Sequence, residues 1–151
     1  MAIIHDIYRR ALRMPDSSVD RSMAAALPTA DQASLRLLGL SLLQRDHIEG
    51  TTGLIEHYHR LPGDVQRQVV ARAEELARAL RQASRRPQGE GPANTLAIME
   101  QAQATRLAYL ASDLLRHGEA PLQQQAGHCL YTMASRAATD PKPNHPPATS
   151  P

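Results

Sequence analysis

Residues 64–80 read Asp-Val-Gln-Arg-Gln-Val-Val-Ala-Arg-Ala-Glu-Glu-Leu-Ala-Arg-Ala-Leu, and this stretch decides the fold class. Val65, Val69, Ala73, Leu76 and Leu80 recur at spacings of three and four, which places them on one stripe of an α-helix. The opposite face carries Arg67, Glu74, Glu75, Arg78 and Arg81, a solvated surface. Pro62–Gly63 breaks the chain just before it, and Asp64 is of the type that caps a helix N-terminus. One continuous helix is therefore predicted from Asp64 through Leu80 and Arg81.

The same pattern continues toward the N-terminus. Thr51 or Thr52 opens a short helix carrying Leu54, Ile55, Tyr58 and Leu61, which forms a hairpin with the helix that follows. Before it, Thr29 or Asp31 caps a helix to about Asp46, with Leu35, Leu38 and Leu42 on one stripe. Leu37, Leu40 and Leu43 widen that stripe, so this helix is expected to be buried on more than one side. Ser17 or Ser18 caps a helix through Val19, Met23 and Leu27, ended by Pro28, and an amphipathic helix is expected over residues 2–13.

Toward the C-terminus, the polar, breaker-rich residues 84–93 form a connector between helix pairs. Asn94 then caps a helix to about His117, and Gly118 fits the left-handed position that ends it. Pro121 suits the first turn of a last helix that buries Leu122, Ala126, Cys129, Leu130, Met133 and Ala137. From Thr139 onward five of thirteen residues are Pro without apolar periodicity, so a single helical domain over residues 1–138 and a Pro-rich disordered tail over 139–151 are expected.

Composition agrees. Ala and Leu supply 43 of the 151 residues, while Phe and Trp are absent and only four Tyr occur, which argues against a sheet and for helices packed through small side chains. A formal net charge of +2 gives little long-range attraction for a polyanion. Sixteen of the seventeen bases are Arg, Lys142 being the exception. A lone cysteine, Cys129, excludes an intrachain disulfide and a cysteine-rich zinc site. The opening residues lack the continuous apolar run of a secretory signal, and no stretch reaches the length of a membrane span, so a cytoplasmic protein is expected.

The two hairpins superimpose in sequence. Val65-Gln66-x-x-Val69-Val70-x-x-Ala73 matches Leu122-Gln123-x-x-Ala126-Gly127-x-x-Leu130 at an offset of 57, and Leu35, Leu38, Leu42 and Leu43 match Leu107, Leu110, Leu114 and Leu115 at an offset of 72. The second-helix pattern, clearest in Pro121-Leu122-Gln123-x-x-Ala126-Gly127-x-Cys129-Leu130, resembles the HEAT repeat over roughly residues 30–138. Gln66 and Gln123 stand where that family usually carries Arg. The resemblance implies an all-α fold of antiparallel helix hairpins stacked as a short α-solenoid with an extended protein-binding surface. An irregular helical bundle satisfies the same periodicity.

Chemistry is sparse. On a helix, His57 and His59 diverge by about 200°, so they cannot share a metal. Asp113 and His117 have the spacing of neighbours one turn apart, suited to acid–base work, but also to a cation paired with an acid at a helix C-terminus. Cys129 falls on the apolar stripe, and no phosphate-binding glycine loop is present. Neither an enzyme nor a cofactor is expected. The candidate contact residues are Arg72, Arg78, Arg81, Arg85 and Arg86, a ridge that can grip phosphates or a partner. The function expected is a non-catalytic protein–protein interaction module, with Gln66, Arg67, Gln123 and Gln124 as further exposed contacts. The alternative is nucleic-acid backbone binding through Arg78–Arg86, disfavoured because few aromatics are available for base stacking. Self-association is a third outcome, since the apolar ends of a short solenoid need covering.

Overall fold

The computed structural model describes residues 17–86 and 89–139, and the expected helix over 2–13 and the residues beyond 139 lie outside that description. The described residues form eight α-helices and no strand: α1 (Ser17–Ala26), α2 (Gln32–Arg45), α3 (Ile48–Glu56), α4 (Gly63–Ala71), α5 (Ala77–Ser84), α6 (Gly91–Ala102), α7 (Ala108–His117) and α8 (Ala120–Thr139). Short 3₁₀ turns at Leu27–Thr29, Tyr58–Arg60 and Thr105–Leu107 join some of them. The fold is all-α.

Two short helices, α3 and α6, form its centre. Helix α3 packs against α1, α2, α5 and α6, while α6 packs against α3, α4, α5, α7 and α8. One continuous apolar cluster runs from Met23 in α1 to Met133 in α8. Close approach to α3 depends on glycine: a Cβ at Gly53 would stand 2.6 Å from the Ala24 Cβ, and one at Gly50 would stand 2.5 Å from Leu42 Cδ2. At Gly53 the overlap forces a backbone shift, because the Ala24 Cβ has no rotamer to change, whereas at Gly50 the end of the Leu42 side chain would have to move.

Local sequence signals explain part of this. Asp31 caps α2 as expected, its carboxylate accepting the Ser34 backbone N–H at 2.8 Å. Helix α2 buries Leu35, Leu38, Leu42 and Leu43 together with Ser34, Gly39 and Ser41, so it is covered on more than one side. Asp46 then ends it in the left-handed conformation, φ 55°, which a short polar side chain tolerates.

Other expectations are corrected. The predicted helix 64–80 is two, α4 and α5, separated by a tightened turn in which the Leu76 N–H is shared between the carbonyls of Arg72 and Ala73 at 3.0 and 3.1 Å. Its two halves have different neighbours: α4 lies on α2 and α6, whereas α5 lies on α3 and α6. The stripe Val65, Val69, Ala73, Leu76 and Leu80 is nonetheless buried throughout, across the interruption. Arg72 stands at the interruption, as the C-cap residue of α4. Its guanidinium donates to the Leu43 carbonyl at 3.0 Å, supplying a partner to the open C-terminal end of α2.

The predicted helix 94–117 likewise divides into α6 and α7 at Gln103, φ 53°. Helix α6 starts earlier than expected, at Gly91, with Pro92 in its first turn. Asn94 therefore lies inside the helix rather than capping it, and of the expected connector Ser84 and residues 91–93 are helical. Helix α3 also begins earlier, at Ile48, so Thr51 and Thr52 are interior and their hydroxyls donate back to the carbonyls of His47 and Ile48. Pro62 rather than Asp64 occupies the cap of α4. Asp64 accepts the Val65 N–H at 3.0 Å and the Arg36 Nε–H at 2.7 Å. Gly118 is extended, φ −78° and ψ 168°, not left-handed. Helix α8 continues to Thr139, so the tail does not start at that residue, and Ala137 is exposed rather than buried.

Candidate functional site

The five-arginine ridge does not act as one surface. Arg72 faces inward, held by the Leu43 carbonyl, by Asp46 at 3.5 Å and by Glu75 at 3.2 Å. Arg86 is tied to Glu56 of α3 at 2.8 Å. Arg78, Arg81 and Arg85 are exposed, and no ion pair holds any of them among the described residues. Their spacing keeps them on the side of α5 away from the buried Ala79, Leu80 and Ala83. Of the other expected contacts, Arg67 and Gln124 are exposed, whereas Gln66 is half-buried and donates to the Tyr58 carbonyl at 2.9 Å, and Gln123 is half-buried.

Tertiary structure brings two separate sequence signals to one place. The end of α5, the start of α6 and the corner between α7 and α8 enclose a cleft of about 590 Å³. Arg85 and Arg86 contribute from the α5 side, and Asp113, His117 and Glu119 from the α7–α8 corner. Pro92, Leu110, Leu114 and Leu122 supply its apolar lining. These positions are local in four segments but scattered along the chain, so periodicity could not assemble them. The Asp113–His117 pair is not a preformed acid–base dyad: both are exposed and no hydrogen bond joins them.

Cys129 is fully buried and directs its Sγ–H toward the Leu96 carbonyl at 3.7 Å. Burial, reinforced by the negative charge of Glu100, pushes its thiol up to about 11, so the nucleophilic thiolate is scarce near neutral pH. Carboxymethylation at pH 8 is expected to run at least roughly a hundredfold slower than in the chain unfolded by guanidinium. Equal rates, read by mass spectrometry, would show that Cys129 is reachable in the native fold. Burial likewise holds the His57 imidazole below its ordinary value. No group of three or more His, Cys, Asp or Glu is placed to hold a metal among the described residues.

One cluster escaped the sequence reading. Asp20 of α1 is fully buried, with Arg45 Nε at 2.6 Å and His47 Nδ1 at 3.1 Å from the same carboxylate oxygen. The other oxygen has no hydrogen-bond partner and lies beside Gly50 in the first turn of α3, where the helix dipole favours negative charge. A signal was present: Asp20 shares a stripe with Met23 and Leu27, a carboxylate at a position the periodicity assigns to the core. None of the three residues lines the cleft, so the cluster ties α1 to α2 and the start of α3.

No family model matches the chain, and comparison with curated proteins and with solved structures found no match. Among the described residues no helix is long and apolar enough to cross a membrane.

Proposed function

We propose that this protein is a non-catalytic protein–protein interaction module whose helix pairs stack in a HEAT-like array, acting in the cytoplasm. The observation that supports it most is apolar surface left uncovered on the last helix pair. Leu115 of α7 is 42% exposed, although the position it matches in the internal repeat, Leu43 of α2, is buried. Leu115 reaches Gly127 of α8, where a Cβ would stand 3.7 Å from its Cδ1, and Tyr131, one turn further along α8, is 72% exposed. Tyrosine is among the residues enriched at the centres of protein interfaces. In a stacked array this is the surface that a further element or a partner covers.

The test is a tagged pulldown from native extract with nuclease, comparing the wild type with Leu115→Glu, Tyr131→Glu and the triple change of Arg78, Arg81 and Arg85 to Glu. A nuclease-resistant protein lost in the first two variants and kept in the triple variant supports the module. Retention of every partner by Leu115→Glu and Tyr131→Glu removes this surface from consideration. Nucleic-acid backbone binding is the second reading, supported by the exposed Arg78, Arg81 and Arg85, which no ion pair holds among the described residues. It requires nuclease-sensitive capture that salt strips and the triple variant lacks.

A further inference from the structure

We propose that the cleft between the end of α5 and the α7–α8 corner is a binding site for an amphiphilic molecule that carries a single carboxylate. This reading goes beyond protein binding and does not depend on it. Its volume, about 590 Å³, lies within the range of small-molecule sites, which combine apolar walls with a few convergent polar groups. Leu110 and Leu114 are buried and Leu122 half-buried, so the apolar lining is held by the core rather than by mobile surface chains.

Charge sets the head group. Two guanidiniums border the cleft, but Glu56 already neutralises Arg86 at 2.8 Å. Among the described residues nothing pairs with Arg85, whose planar fork has the geometry that receives a carboxylate through two parallel hydrogen bonds. Asp113 and Glu119 stand on the opposing side with no ion pair of their own among the described residues. They repel a second negative group at the far end of the ligand. One anionic head on Arg85 and an apolar body over Leu110, Leu114 and Leu122 therefore satisfy the lining, whereas a dicarboxylate does not.

Decanoate and its dicarboxylate counterpart, decanedioate, are the probes, titrated in the low millimolar range into the isotopically labelled full chain while backbone amide shifts are followed. Decanoate is expected to move amides of Arg85, Leu110, Asp113, Leu114 and Leu122 together, with one affinity. Arg85→Glu, and Arg85→Gln as a milder change, should weaken it roughly tenfold or more, the worth of one charge-assisted pair. Arg78→Glu, on α5 but outside the cleft, should leave the affinity unchanged. Decanedioate should bind several-fold more weakly than decanoate, and Asp113→Asn with Glu119→Gln should narrow that gap. Absence of shifts at the cleft, shifts scattered over the surface, or equal decanoate affinity in Arg85→Gln would overturn the proposal. Equal binding of the two probes to the wild type would overturn its single-carboxylate part.

Discussion

Arg45→Met is expected to destabilise the fold by about 3–5 kcal/mol, because it strips a buried carboxylate of its principal counter-charge. Asp20 is wholly inaccessible, and the Arg45 side chain that meets it at 2.6 Å is 6% exposed. His47 remains at 3.1 Å, but it is 35% exposed and compensates only in its protonated form. The converse change leaves Arg45 buried without its acid and carries a similar penalty. Changing both residues to apolar ones of comparable size, Asp20→Leu with Arg45→Met, removes the desolvation penalty along with the attraction. That double variant is expected near wild-type stability or above it. Urea unfolding followed by circular dichroism measures all three chains and gives the coupling between the two sites. A cost below about 1 kcal/mol for Arg45→Met would mean that water reaches Asp20, since exposed pairs are worth that little.

Asn94→Asp separates the two roles that its residue type allows. At a helix N-cap the two side chains are nearly interchangeable, and the substitution would cost little. In this structure the Asn94 amide donates to the carbonyls of Ile55 at 2.9 Å and Glu56 at 3.2 Å, closing the C-terminal end of α3 from a position that is 1% exposed. A carboxylate there faces two carbonyl oxygens and the negative end of a helix dipole, with no donor. The expected loss at pH 7 is about 3–5 kcal/mol, that of an unpaired buried charge. Its pH dependence has a definite sign. The folded chain would hold the new carboxyl protonated, raising its pKa above the unfolded value of about 3.9. The variant should therefore approach wild-type stability below that value and lose it as pH rises. A loss that does not change with pH would contradict the donor role.

Several elements were readable without coordinates. Asp31 announces α2, Pro121 opens α8, and the Leu35, Leu38 and Leu42 stripe faces the core. Each depends on residues within one or two turns of one another. The bends at Arg72 and Gln103 were not readable, because neither residue breaks a helix by its own propensity. Asn94 and Thr51 carry capping side chains, but their donors go to other groups once a proline or an earlier start has moved the helix boundary. Arg85 and the Asp113–His117 pair were each visible as candidates, and only the packing of α5 beside α7 set them around one cleft.

The sequence by itself determined that the chain is helical and most of the residues that line its apolar stripes. These follow from periodicity and capping, both short-range. Tertiary structure decided where a stripe bends to meet two neighbours, which buried polar groups find one another and which charged ends share a cleft. Propensity differs by tenths of a kcal/mol per residue, whereas an unpaired buried charge or a misdirected apolar face costs several. Contacts between distant segments therefore settle what local preference leaves open.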